Sequence, residues 1–454
     1  MHLLQQLLFA LTLGGFSFWI YRRVMRILAN LALGKPMQPD ATPAAERWRM
    51  VAVYALGQKK MFEKPLVGVM HMVIYLGFFI VNVEILEIIL DGLLGTHRLF
   101  APWLGGLYPV LINVFEALAF GVLAVCVVFL ARRNMVHIKR FHARELVGWP
   151  FKDANQILVA EIILMLLFLT WNASETVLRG RALAGEAALE HYQVAGLGAH
   201  PFWISGVLTG LFEGWGTQAL HIYERAAWWL HITGILGFGV YVTYSKHLHI
   251  AMGFPNTYWK RTQPVGQARN MPEIATEVRS MLGLPALAEV AASETAAAEP
   301  GRFGAKDVTD LSRKNLMDAY SCTECGRCTA ACPANITGKL LSPRKIMMDT
   351  RDRMEEIGRH QEATKTQDIP KEKPLLDGYI LREEILACTN CNACIDACPI
   401  GINPLDIITE LRRYAVMEES KAPASWNAMF QNLENQQAPW AYPASERLKW
   451  LENA

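Results

Sequence analysis

Eight of the nine cysteines in this 454-residue chain stand in two runs of one pattern, Cys-x2-Cys-x2-Cys-x3-Cys-Pro: "CTECGRCTAACP" from Cys322 and "CTNCNACIDACP" from Cys388. Three thiolates in one tight loop reach three corners of an iron-sulfur cube, and in two-cluster proteins the fourth cysteine of such a run crosses to the other cube. The pattern therefore predicts two 4Fe-4S clusters, one on Cys322, Cys325, Cys328 and Cys398, the other on Cys388, Cys391, Cys394 and Cys332. Structural zinc and disulfides are the alternatives. Zinc favours two short Cys pairs with a spacer over four cysteines in a row closed by proline. A chain that otherwise avoids cysteine suits a reducing compartment rather than a disulfide scaffold. Gly326 suits the crowded loop around a cube, and Pro333 and Pro399 break the chain after each fourth thiolate. Cys126 lies alone in an apolar run.

The elements that position these loops divide in two. The chain is 52% hydrophobic and 19% charged, which suggests apolar spans joined to an ordinary polar domain. A formal charge of +2, with no basic stripe interleaved with aromatics, argues against nucleic acid as a partner. Apolar runs at about 3–21, 66–90, 103–131, 155–178 and 226–250 are each read as a membrane helix, since a bilayer core asks for roughly 20 residues. The first has its arginines (Arg22, Arg23, Arg26) after the run, so it reads as a retained helix rather than a cleaved signal. "HPFWISGVLTGLFEGW" (200–215) is short and broken by glycines, and reads as an interfacial or re-entrant segment.

Bases concentrate in the loop 22–65 and after the third and fifth spans, whereas 91–102 offers only Arg98. Positive side chains stay inside, so the N-terminus is expected outside and the cysteine domain on the cytoplasmic side of the inner membrane. The expected architecture is an all-α membrane bundle of five transmembrane helices (1–255), a linker (256–304), an α-helical dicluster ferredoxin-type domain (305–420) and a tail (421–454) that is a candidate docking segment.

Ionisable groups inside spans are costly and usually functional. His71 lies near the cytoplasmic start of the second span, His231 near the outer end of the fifth, and His247 and His249 at its inner end. On a continuous helix, His249 and His231 are 249 − 231 = 18 residues apart and share a face, while His247 points elsewhere. His71 and His249, on antiparallel spans at one depth, could hold the two axial positions of a haem iron. A second haem would sit near His231, but the second span offers no further histidine to pair with it. His97, His191, His200 and His221 are outer candidates with no geometric support. Glu84, Glu87, Glu116, Glu161 and Glu175 are either surface groups at helix ends or the lining of a proton path to a quinone.

The histidine arrangement and the stretch "KHLHI" resemble the cytochrome b membrane subunit of respiratory nitrate reductase. "CTECGRC" with "SPRKI" resembles the iron-sulfur subunits of heterodisulfide reductase, and a similar subunit occurs in anaerobic glycerol-3-phosphate dehydrogenase. A fusion of the two pieces is similar to the heterodisulfide reductase-like and electron-transferring flavoprotein:menaquinone oxidoreductase group, and "MFQNLENQQAPWAYPASERLKW" resembles the tail that follows the clusters in that group. The resemblance implies haem b, menaquinone or ubiquinone as membrane substrate, and a role as the electron-transfer subunit of a quinone oxidoreductase. Members that act alone carry cysteine-rich CCG motifs, and this chain has no Cys-Cys pair. That departure implies a separate CCG-type or flavoprotein partner. The rival reading is a haem-free membrane anchor presenting a ferredoxin domain to a soluble enzyme.

Overall fold

The computed structural model describes residues 2–37, 42–194, 197, 202–264, 266, 267, 270–285 and 302–452, so His200 and the stretch 286–301 of the expected linker lie outside the described residues. Among the described residues the only β-type pairings are isolated bridges, Lys35 with Ser312 and Leu376 with Ile380. Helix satisfies every backbone polar group within its own segment, which is what a lipid core requires. The apolar runs accordingly become long helices: α1 (His2–Ala32), α2 (Pro65–Leu94), α3 (Tyr108–Asn134) and α4 (Trp149–Leu183). The last three start with proline in the first turn, where its missing N–H costs nothing. Each of these four is long and apolar enough to cross a membrane.

The fifth run differs from expectation. It does not continue through 226–250 as one helix: α5 (Thr217–Val242) stops, and the chain resumes after a 90° bend as Lys246–Tyr258, which contains α6 (His249–Tyr258). Among the described residues the candidate spans therefore number four, or five if the bent pair is taken as one. The cause is Ser245, whose backbone is extended and whose hydroxyl accepts the His247 amide at 3.0 Å. That is a helix N-cap, and it starts a new helix where hydropathy alone reads a continuation. The rotation of 100° per residue carries no information across the break, so the shared face of His231 and His249 is lost.

In the bundle, α4 packs against α3 and α5, and α2 against α3. Close approach depends on small residues, as in membrane bundles generally. A Cβ on Gly77 would come within 2.6 Å of Val122, and one on Gly234 within 2.8 Å of Leu164. At the end away from the cysteine domain, the loop after α2 folds back and inserts Arg98, only 2% exposed, among carboxylates. Its guanidinium donates to Glu175 and Asn172 at 2.7 Å each and to Glu84 at 3.3 Å. Glu87 accepts from the Phe100 amide and the Tyr108 hydroxyl at 2.8 Å, and Glu116 accepts from the Ile204 amide at 2.9 Å. Glu84, Glu87, Glu116 and Glu175 are thus buried and partnered, not surface groups. The segment 202–211 forms only short turns, Ile204–Val207 and Thr209–Leu211.

The cysteine domain is built from α7 (Arg313–Ser321), α8 (Pro343–Thr364) and α9 (Pro404–Arg413), and α10 (Ala424–Gln436) follows in the tail. Its core is continuous with the bundle: Ile27 of α1 and Leu248 pack with Leu316, Ile346, Met354 and Ile408. Polar contacts cross the same junction. Arg23 donates to Glu355 at 2.6 Å, and Asn30 donates to the Tyr320 hydroxyl at 2.7 Å. The Glu355→Ala substitution leaves the Arg23 guanidinium buried without its partner, which costs about 3 kcal/mol. A clear drop in the thermal midpoint of the detergent-solubilised protein is expected, and an unchanged midpoint would show that this pair does not fasten the two parts.

Candidate functional site

The two cysteine runs repeat in backbone as well as in sequence. α7 is started by Ser312, which accepts the Asn315 amide at 3.3 Å, and it ends as Cys322 turns to extended backbone. Two and four residues later, Glu324 (φ +56°) and Gly326 (φ +72°) are left-handed, and a helical turn, Arg327–Ala331, carries Cys328. The second run does the same with Asn390 (φ +55°), Asn392 (φ +63°) and the turn Ala393–Asp396, which carries Cys394. Glycine and asparagine are the residues that adopt this conformation readily.

The thiols fall into two neighbouring groups. Cys332, Cys388, Cys391 and Cys394 line one recess, closed by Leu405 and Ile408. Cys322, Cys325, Cys328 and Cys398 lie within electrostatic reach of one another, and Cys328 also feels Cys394 in the other group. Each group therefore takes three cysteines from one run and the fourth from the other. Among the described residues no three His, Cys, Asp or Glu side chains converge as a lone metal ion requires. Burial pushes the Cys322 and Cys394 thiols up to about 12 and Cys398 to about 11, so they are protonated at neutral pH until a metal draws the protons off. The Ile402 amide donates to Cys398 Sγ at 3.3 Å, the kind of N–H to sulfur bond that tunes a cluster's potential. A soft, thiolate-only donor set in two adjoining groups of four fits a pair of 4Fe-4S clusters.

The groups differ in what surrounds them. The first run faces the bundle: Glu324 is bound by Lys246, and Arg327 donates to the Lys60 carbonyl at 3.0 Å, while Arg351 of α8 holds Glu324 at 2.8 Å from within the cysteine domain. Burial alone would raise the Glu324 carboxyl, but Arg351 and Lys246 outweigh it and hold it below its usual value. Gly326 is in left-handed backbone, and a Cβ there would come within 2.5 Å of Arg344 Nη1, so a side chain would have to displace that guanidinium. In the second run, Thr389, Asn390 and Cys391 are exposed. The first loop is thus enclosed against the bundle, whereas the second run opens outward at Thr389–Cys391 while its Asp396 still meets Lys60 at 3.1 Å.

The histidines gather on the bundle side of the first group. His71, His247 and His249 lie within electrostatic reach of one another, and the rings of His247 and His249 are 5.4 Å apart between centroids. The expectation that His247 points away from the face shared by His231 and His249 holds only for a continuous helix, and the break at Ser245 brings it beside His249. His249 Nδ1 donates to the Lys246 carbonyl at 3.1 Å, and His71 Nδ1 pairs with Gln58 Oε1 at 2.9 Å. With Nδ1 engaged, the neutral ring presents Nε2 as a free lone pair, the orientation seen in metal-ligating histidines. The residues fit a haem iron on that count. His231 has the same feature, donating to the Leu164 carbonyl at 3.0 Å, but it is packed against Phe168 and Trp171 and apart from the other three. At the far end, His97 pairs with Glu175 at 3.2 Å, and Tyr192 joins His221 and Glu224 at 2.8 and 2.9 Å. Sequence spacing gives no sign of that second polar cluster.

Comparison with known proteins agrees with the cysteine chemistry. The 4Fe-4S dicluster domain family matches residues 321–403. Over 94% of its length the chain is 29% identical to the probable iron-sulfur-binding oxidoreductase FadF of Bacillus subtilis, covering 58% of that protein. It is 25% identical over 88% of its length to the EtfAB:quinone oxidoreductase of Syntrophomonas wolfei, covering 53% of it. One component of the dihydromethanophenazine:CoB--CoM heterodisulfide reductase of Methanosarcina acetivorans is 27% identical over 32% of this chain and 36% of its own length. The chain spans a little over half the length of the first two relatives. No solved structure matches it.

Proposed function

We propose that the chain is the membrane-bound electron-transfer part of a quinone oxidoreductase, exchanging electrons between a membrane quinone and a redox partner on the cysteine-domain side, with that domain in the cytoplasm. The observation that carries this reading is a single junction. Lys246 binds Glu324 in the first cysteine run, and its carbonyl holds the ring of His249. The Ser321 hydroxyl, one residue before Cys322, donates to the Met252 carbonyl of α6 at 3.3 Å. Histidine turn and cysteine loop are therefore fastened directly to each other.

Cys322, Cys325, Cys328 and Cys398 would hold one cluster, Cys388, Cys391, Cys394 and Cys332 the other, and His71 and His249 a b-type haem, with His231 a candidate for a second. When bound, these groups supply one-electron chemistry that no side chain here provides. The protein's own part is placement. Glu324, Arg327 and Arg344 clamp the first loop to the bundle, Gln58 and the Lys246 carbonyl orient the imidazoles, and the exposed Thr389–Cys391 loop offers the outward group to a partner. The relatives' names, an iron-sulfur oxidoreductase and a quinone oxidoreductase, support this class of reaction. Because both are longer than the stretch matched, the partner is read as a separate or appended flavoprotein or CCG-type unit.

The full-length protein purified in detergent is expected to carry about eight iron and eight sulfide, to show a b-type haem difference spectrum, and to be reduced at its clusters by a menaquinol analogue or, run in reverse, to reduce the quinone. Full iron loading without any haem spectrum would overturn the transmembrane half and leave a ferredoxin-presenting anchor.

A further inference from the structure

Where α1 leaves the apolar zone it lies beside the C-terminal end of α8, and the two helices leave an open cleft of about 560 Å³ between them. Arg22, Met25 and Arg26 form one wall, and Gln361, Glu362 and Lys365 the other. Arg22 donates to Glu362 Oε1 at 2.7 Å, and Arg26 pairs with the other oxygen of the same carboxylate. Arg23, between them in sequence, is committed to Glu355 and turns away. Three cations against one carboxylate leave the cleft with a formal charge of 3 − 1 = +2.

Its level in the membrane follows from its neighbours. Trp19 and Tyr21 are exposed just before Arg22, in the position of the aromatic belt that marks a membrane-water interface. From Met25 in the cleft wall, Phe18, Leu11 and Leu4 follow at intervals of seven residues, so the four lie along one face of α1. They are 48%, 62%, 74% and 74% exposed, an apolar stripe that runs straight into the cationic cleft. A charged pocket at headgroup depth over an apolar stripe has the shape of a phospholipid.

We propose that the cleft binds the phosphate of an anionic phospholipid headgroup, with an acyl chain laid along the Leu4–Met25 face. The guanidiniums of Arg22 and Arg26, which each meet Glu362 through one nitrogen, keep further N–H donors for phosphate oxygens, and Lys365 adds a point charge from the other wall. The lipid then ties α1 to α8, the helix that also carries Glu355. The inference rests on α1 lying in the membrane and not on the electron-transfer reading, so either can fail alone.

Native mass spectrometry of the full-length protein, released from detergent with phosphatidylglycerol or phosphatidylethanolamine of matched chains, tests it. Phosphatidylglycerol is expected to be retained preferentially, and Arg22→Gln and Lys365→Gln are each expected to weaken that retention about fivefold. Lys421→Gln, a base on the tail, is the control and is expected to change nothing. Equal retention of the two lipids, or unchanged retention in both cleft variants, overturns the proposal. So does displacement of the lipid by inorganic phosphate at comparable concentration, which would make the cleft a plain anion site.

Discussion

Exchanging Cys398 for serine is expected to halve the iron content, from about eight to about four per chain, and the double variant Cys398→Ser with Cys322→Ser is expected to lose no more than either alone. The reason is the crossing of the fourth cysteine. Cys398 belongs to the second run in sequence but lies within electrostatic reach of Cys325 of the first. If both residues serve one cluster, removing the second thiolate finds nothing left to remove, and the effects are non-additive in the way residues of one unit are. If each run held its own cube, the double variant would strip both and leave almost no iron. The reciprocal pair, Cys332→Ser with Cys388→Ser, should behave in the same manner. Iron and sulfide analysis on the purified chain, with electron paramagnetic resonance of the dithionite-reduced form, reads the outcome directly. Because Cys398 is also the sulfur that accepts the Ile402 amide, its loss removes a tuning hydrogen bond along with a ligand.

How much of this is legible in the sequence differs with the range of the interaction. The cysteine runs are legible because every ligand type and spacing lies within twelve residues, and the crossed grouping follows from the pattern itself. The long helices are legible because a lipid core leaves one solution for an apolar run. The break before His247 escapes a hydropathy reading, although its signal, a serine followed by a helical run in "TYSKHLHI", is present. A cap of that kind outweighs apolar continuity. The Arg98 cluster is not readable at all, since Glu84, Asn172 and Glu175 come from distant helices and meet only on folding.

The asymmetry of the two runs lies between these cases. Glu324 and Arg327 in the first stand where Asn390 and Ala393 stand in the second, a difference visible in the sequence. Its meaning, that the charged run meets the bundle side through Glu324 and Arg327, depends on Lys246 and Lys60 being nearby, and no local pattern places them there. Nor does a linker beginning at residue 256 anticipate that Asn256 reaches the Ile400 carbonyl at 3.2 Å while accepting from Lys314 at 2.9 Å. The segment after the last span docks at once.

His249→Ala is expected to abolish the b-type haem spectrum of the inner site and to stop quinol-driven reduction of the clusters, while dithionite still reduces them and iron content stays full. His71→Ala should do the same, because the proposed haem would be held by both rings. The two histidines have different supports, and that difference separates a ligand from a structural role. His249 leans on a backbone carbonyl that no substitution removes, whereas His71 leans on the side chain of Gln58, itself buried and in left-handed backbone at φ +47°. Gln58→Leu deletes the acceptor of Nδ1 and keeps the ring, so it should weaken haem retention by about 10- to 100-fold rather than abolish it. A haem titration of the apoprotein would read that graded order, with His71→Ala and His249→Ala at zero and Gln58→Leu between them and the native chain. A merely structural histidine would instead lower the thermal midpoint and leave the spectrum of the surviving protein unchanged. Unaltered quinol-driven reduction in both alanine variants would mean that electrons reach Cys322 and its neighbours without the histidine turn, and the bundle would then be an anchor.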